Sequence, residues 1–338
     1  MRKHTLLFFI LFGISFQILS FAGHKLQAQP MVTEDVTKEV ILFYPGWMLG
    51  NHHDINSYGE ITKELNLSTK TVDHKFINKR ESFFDKSGQR KFKVLILPGG
   101  EPYWWFNRGL GESGINCQGV KNILGFIKSG GSVIAICHCG SSLFSTKVEW
   151  LAPGPKEAQQ SMWERTHYYQ GWFRQLCGGH AFEGTIRGPQ ESNRPYPKTL
   201  FLPIKMNPEN EIVREANLPP VISQIVAGGG SIIPDKNQPL DVVGWFPNGT
   251  AAIGIVPYGK GRIIMSNPHP NITGERAKKW RNGIMGDYAK QWGWTEDMIK
   301  EEQKLIQANS DPDGWEPDWA LAKAMLSYAY RKASEQIK

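Results

Sequence analysis

The sequence predicts an α/β fold on a largely parallel sheet, and three observations carry that prediction. Short apolar runs without polar alternation, at Val40–Tyr44, Val94–Leu97 and Val133–Ile136, suit strands covered on both faces. Between the last two lies a stretch with Val120, Ile123, Leu124 and Ile127 at helical spacing. Each strand-like run also stops abruptly, at Pro45-Gly46-Trp47, Pro98-Gly99-Gly100 and Cys137-His138-Cys139-Gly140. Strands that alternate with helices and end in sharp turns belong to βαβ architecture.

Taken in order, Val40–Tyr44 is the first strand and a polar loop with Asn51-His52-His53-Asp54 follows it. A helix is expected over about Ser57–Leu65, and Thr69–Ile77 has the β-branched look of a second strand. Val94–Leu97 is the third strand, Gly119–Lys128 the next helix, and Val133–Ile136 the fourth strand. From Trp150 to about Gly179 the chain is irregular and aromatic, with Trp163, His167, Tyr168, Tyr169 and Trp172, and reads as an insertion beside the site. A strand-rich part follows: Thr199–Met206, Val221–Val226, Leu240–Phe246, Ala251–Val256 and Arg262–Ser266, with Tyr258-Gly259-Lys260-Gly261 a tight turn before the last. Helical patterns over about Glu275–Trp292, Glu296–Ala308 and Asp318–Gln336 form a C-terminal extension.

The 338 residues are enough for one large or two ordinary domains. Residues 1–28 read as a secretory signal: Arg2, Lys3 and His4, an apolar run from Leu6 to Phe21, then small residues with cleavage after Ala22 or Ala28. An uncleaved anchor is the competing reading, since the run is near the lower length limit for a span. The mature protein is then expected to be secreted or periplasmic and not inserted in a membrane. The net charge of +7 falls to +4 when the leader and its Arg2, Lys3 and Lys25 are removed. Without a dense basic run interleaved with aromatics, nucleic acid is not an expected partner. Four cysteines are too few for a disulfide framework, but one bridge, such as Cys117–Cys177, suits an exported chain.

The segment Gly130–Gly140 is where chemistry is expected. A turn, a buried strand, Cys137 and then a small polar helix start at Ser141-Ser142 make the strand–turn–helix of a nucleophile elbow. Such a turn exposes the sulfur at the carboxyl edge of the sheet, close to helix-terminal amides that favour a thiolate. The competing reading makes Cys137 a small buried apolar residue.

Three motifs in order, Leu97-Pro98-Gly99-Gly100, Ile136-Cys137-His138 and His269-Pro270-Asn271, resemble the class I glutamine amidotransferase-like superfamily over about Val40–Thr273. Gly228-Gly229-Gly230-Ser231 and Tyr258–Arg262 are similar to the branch that holds the N-terminal domain of yeast-type biotin–protein ligases. The resemblance implies a flavodoxin-like sandwich over residues 38–275, ahead of the helical extension at 276–338. It also implies Cys137 as nucleophile, His269 as proton relay, and Gly99 and Gly100 on the loop that forms the oxyanion pocket. Where that family has His-Pro-Glu, this chain has Asn271, which can orient an imidazole by a hydrogen bond but cannot stabilise its cation by charge. Biotin ligation itself is excluded, because no Gly-Arg-Gly-type adenylate loop occurs.

His138 directly follows the nucleophile, as in the PfpI-type peptidases, and is either a second polar group at the site or a hydrated loop residue. Glu101 is an acid near the thiol or a solvated carboxylate. His52, His53 and Asp54 follow a strand whose carboxyl end faces the ligand edge of a parallel sheet, so one of them contacts substrate or the three form a weak metal triad. Tyr103, Trp104, Trp105 and Trp163 wall a pocket or pack in the core. Cys137-His138-Cys139 as a chelate or redox pair is the least favoured alternative. No cofactor or metal is called for. The sequence thus predicts an exported cysteine hydrolase or amidase acting on a small molecule or peptide, with a non-catalytic binding protein of the same fold as the alternative.

Overall fold

A computed structural model of the chain describes residues 39–44, 49–99, 114–149, 177, 179–187, 199–227, 230–272, 296–297, 300 and 315–336. Within them, four short strands open the fold: β1 Val40–Phe43, β2 Thr69–Val72, β3 Val94–Leu97 and β4 Ser132–Ile136. Every residue of β1, β3 and β4 is buried, as expected of runs apolar on both faces. These three strands and β2 join β12, Gly261–Ser266, in the spatial order β2-β1-β3-β4-β12, and every neighbouring pair is parallel. That is the flavodoxin-like order 2-1-3-4-5, in which ligands bind beyond the carboxyl ends of the strands.

Beyond β12 the sheet changes character. β11, Ala251–Tyr258, pairs antiparallel with β12 through a two-residue turn that has Gly259 at φ 61°, a backbone conformation glycine adopts without strain. β10 (Asp241–Trp245), β7 (Thr199–Met206) and β8 (Val221–Ala227) extend the sheet antiparallel. β5 (Ser145–Glu149), β6 (Phe182–Arg187) and β9 (Ser231–Pro234) form a branch that reaches the main path through β9 and β11. The fold is α/β with a flavodoxin-like parallel sheet, and its parallel part is the half that carries the candidate site.

Helices cover both faces of the sheet. On one, α4 (Cys117–Lys128) buries Val120, Ile123, Leu124, Phe126 and Ile127, and Asn116 caps it by accepting the Gly119 N–H at 3.0 Å. On the other, α1 (Leu49–Glu64) and the C-terminal helix α7 (Trp315–Glu335) pack into a second core. In it Tyr58 and Ile61 meet Ile134, Ile264, Leu321, Met325 and Ala329. At about 25 cal/mol per Å² of apolar surface, closing these two cores is the main drive to fold. The 60-residue span from Cys117 to Cys177 is closed by a disulfide, which ties the start of α4 to the segment before β6. No helix among the described residues is long and apolar enough to cross a membrane.

Two expectations are corrected. The segment Asn51–Asp54 is not a loop: α1 already begins at Leu49, so His52, His53 and Asp54 lie in its first two turns. Polar residues in a first turn leave no apolar period to read, so the sequence placed the start too late. The second strand ends at Val72 rather than Ile77, because the Asp73 carboxylate accepts the N–H groups of Lys75 and Phe76 and starts the short helix α2, His74–Ile77. An aspartate at that position was the legible signal. The aromatic insertion lies outside the described residues apart from Cys177 and Gly179, as do almost all of the expected helices over 275–308.

Candidate functional site

Strand register assembles the site. Leu97 of β3 lies opposite Ala135 of β4, so Gly99 and Cys137 leave the sheet at the same level. Ser266 of β12 lies opposite Ile136, so the chain leaves that strand beside Cys137 and reaches His269 three residues later. The backbone of His269 is then fixed from a third strand, its N–H donating to Ile225 O in β8 at 2.8 Å.

Cys137 sits at φ 61°, in the left-handed region that a residue with a Cβ rarely adopts. It joins β4 to the short helix α5, Cys137–Ser142. Strain at a strand-to-helix junction is the signature of a nucleophile elbow. The turn is tight enough that a Cβ on Gly140 would lie 2.9 Å from the backbone carbon of Ala135. Gly140 therefore lets α5 leave the strand this closely.

His269 and Cys137 are each only 4 % exposed, and the sulfur is one of the groups that act on the imidazole. On its other side His269 Nδ1 lies 3.2 Å from Asp54 Oδ1. Asp54 is fully buried, and two further donors reach it: the Gly99 N–H at 2.6 Å on Oδ2 and Asn271 Nδ2 at 2.7 Å on Oδ1. Burial works against a charge on His269, but the Asp54 carboxylate, and then Cys137, outweigh it and raise the imidazole from 6.5 to about 10. The arrangement stabilises an imidazolium between a carboxylate and a sulfur. One turn further along α1, Tyr58 is held well above the usual phenol range, by burial first and Asp54 second.

Gly99 is the hinge of this cluster. A Cβ there would meet His269 Cε1 at 2.6 Å, Cys137 Cβ at 2.9 Å and Asp54 Oδ2 at 3.1 Å. Its N–H is committed to Asp54, so on the loop expected to form the oxyanion pocket this amide holds a carboxylate. The structure thus brings together Cys137, His269, Asn271 and Gly99 of the sequence-predicted residues. It adds Asp54 as the common partner of His269, Asn271 and Gly99, a residue the sequence offered only as a substrate contact or metal ligand. The legible signal was its place after the first parallel strand; its role needed the register of three other strands.

His138 is in the first turn of α5, and His52 and His53 are in α1; the side chains of all three lie outside the description. Gly100, Glu101, Tyr103, Trp104, Trp105 and Trp163 lie outside the described residues altogether. Among the described residues, no group of three or more His, Cys, Asp or Glu side chains is placed to hold a metal ion.

No family model matches the chain. No curated protein sequence matches it. Among solved structures it is similar to a glutamine amidotransferase from Thermotoga maritima at 11 % identity, covering 87 % of this chain and 98 % of that one, with a TM-score of 0.46. A cytoplasmic protein from Salmonella typhimurium LT2 is similar at 12 % identity over 80 % of this chain and all of that one, with a TM-score of 0.42. A β-galactosidase from Bacillus circulans matches 76 % of this chain but only 31 % of its own, at 14 % identity and a TM-score of 0.37. The structural neighbours therefore include glutamine amidotransferase-like folds.

Proposed function

We propose that this protein is an exported cysteine-dependent hydrolase that opens an amide or related carbonyl by acyl transfer to Cys137. The single observation that carries the reading is the elbow cysteine at φ 61° acting, with Asp54, on a buried imidazole that is held protonated. With the pair's proton held on His269, the sulfur attacks the carbonyl carbon as the thiolate of a thiolate–imidazolium pair. The tetrahedral oxyanion is received at the start of α5, where the backbone N–H of His138 is among the first-turn amides without an intrahelical acceptor. Gly100 is the expected second donor. His269 then protonates the leaving group, and water attacks the thioester with His269 as base. Asn271 belongs to this machinery as a group that keeps the histidine's surroundings in register.

The experiment is acylation with p-nitrophenyl acetate, followed by peptide mass mapping. Native protein is expected to release nitrophenolate and carry the acetyl group on Cys137. The His269→Ala variant is expected to be slower by about 100-fold or more. Acetylation of Cys137 only after denaturation would instead support the binding-protein reading. The leader is tested separately: the mature N-terminus of protein recovered from the periplasm or medium is expected at Gly23 or Gln29.

A further inference from the structure

We infer that Asp54, arriving from α1 on the far side of the sheet order, is the positioning carboxylate of His269, and that Asn271 serves Asp54 rather than the histidine. The inference rests on the proposed Cys137–His269 chemistry and adds its third member.

Residue 271 is two positions beyond the histidine, where an acid would orient the imidazole from its own loop. Here it is an amide, and its Nδ2 is spent on Asp54 Oδ1 at 2.7 Å. The same oxygen lies 3.2 Å from His269 Nδ1, so one carboxylate oxygen is shared by the imidazole and the amide. The other oxygen takes the Gly99 N–H at 2.6 Å. Asp54 therefore faces three donors from two places: the Gly99 N–H of the turn after β3, and the imidazole and Asn271 amide of the loop after β12. Several hydrogen bonds to one buried carboxylate fix its orientation.

The two positions form a matched pair. A glutamate at 271 would put a second negative charge against a fully buried Asp54, and like charges at that separation cannot both ionise. With the acid at 54, an amide at 271 supplies the donor that the carboxylate lacks. In the reaction Asp54 takes no proton. His269 carries the pair's proton on Nε2 while the sulfur attacks as thiolate, Nδ1–H stays directed at Asp54, and the Nε2 proton leaves on the amine or alcohol product. Asp54 fixes the tautomer and compensates the cation while it lasts.

The test uses the full chain with ¹³C,¹⁵N-histidine and reads the His269 imidazole by NMR across pH, together with acetylation of Cys137. In the wild-type protein the imidazole is expected to titrate near pH 10. In Asp54→Asn it is expected to titrate at lower pH, with acetylation slowed about 100-fold. Asp54→Glu is expected to recover part of both. In Asn271→Ala the titration should move less than in Asp54→Asn. In the exchange Asp54→Asn with Asn271→Glu, a carboxylate returns to the imidazole and the midpoint should rise again.

An unmoved titration in Asp54→Asn, or a larger shift in Asn271→Ala than in Asp54→Asn, overturns the inference. Because the titration is read without turnover, it separates the two ideas. An unreactive Cys137 in wild-type protein defeats the hydrolase reading, while the Asp54 dependence of His269 still decides this one. A thermal melt of each variant identifies any that fails to fold, and Asp54→Glu then carries the comparison.

Discussion

Two fully buried carboxyl groups, Asp54 and Asp318, sit against the same helical face of the sheet and are treated in opposite ways. Asp54, in α1, faces three donors from two segments at the carboxyl edge of the parallel half. Asp318, in the first turn of α7, faces the antiparallel half and receives one hydrogen bond, from Gln224 Nε2 of β8 at 3.1 Å. Its second oxygen and the Gln224 carbonyl are both buried without a partner, two acceptors with no donor between them. Burial pushes Asp318 well above the usual carboxylate range, and the Gln224 bond only partly offsets it. A protonated Asp318 supplies the missing donor. The difference teaches that burial alone does not decide what a carboxyl group does. The number of donors aimed at it does.

The largest expected effect comes from removing the carboxylate that has partners. Asp54→Ala leaves His269, Asn271 and Gly99 facing an empty place, and a broken buried ion pair typically costs about 3–5 kcal/mol. Chemical denaturation is expected to show a loss of that size, and a cost below about 1 kcal/mol would mean that the cluster is not a pair at all. Next comes Gly99→Ala. The added methyl would have to displace both His269 and Cys137. Overpacking of this kind costs about 1–3 kcal/mol, and displacement of reacting groups by about 1 Å costs about 100-fold in rate. Acetylation of Cys137 in this variant is expected to fall by that factor while the fold survives; an unchanged rate would show that the strand register does not govern the site.

Smaller, and the sharpest test of the contrast, is the pH dependence of stability. His269 is raised in the folded state, so its contribution is complete below about 6.5 and is lost as pH rises through about 10. Asp318 is also raised, so the folded chain keeps a proton that the unfolded chain releases from about pH 3.8 upward. Both slopes therefore run downhill with rising pH, in different windows. Asp318→Asn gives Gln224 a permanent donor and should flatten the acidic part of the curve, with a gain of about 1 kcal/mol at neutral pH. Asp54→Asn should flatten the alkaline part instead. Urea midpoints measured from pH 4 to 10 read both, and an Asp318→Asn curve parallel to the wild type's would refute the assignment.

Much of the fold was legible because its signals are local. The runs at Val40–Tyr44, Val94–Leu97 and Val133–Ile136 announce buried strands by composition, and all three strands lie within a residue of those bounds. The strands at Thr199–Met206 and Ala251–Tyr258 were located equally well at their starts. The elbow was legible too, since a buried run that ends at Cys137 and turns into small polar residues has few other uses. The misread elements are those whose identity depends on a cap or a neighbour. Asp73 ends β2 by capping α2, and the polar first turns of α1 are helical although no apolar period marks them.

By itself, then, the sequence determined the strands, the helix over Val120–Ile127, the strained turn at Cys137 and the histidine waiting after the last parallel strand. Only the tertiary structure decided which acid serves that histidine. Asp54 and His269 are 215 residues apart. They meet because β1, β3, β4 and β12 lie in parallel order and release their chains at one edge. Hydrophobic patterning specifies which residues are buried, but not which buried polar groups will face each other. That follows from strand order and register, and it separates Asp54, held by three donors, from Asp318, held by one.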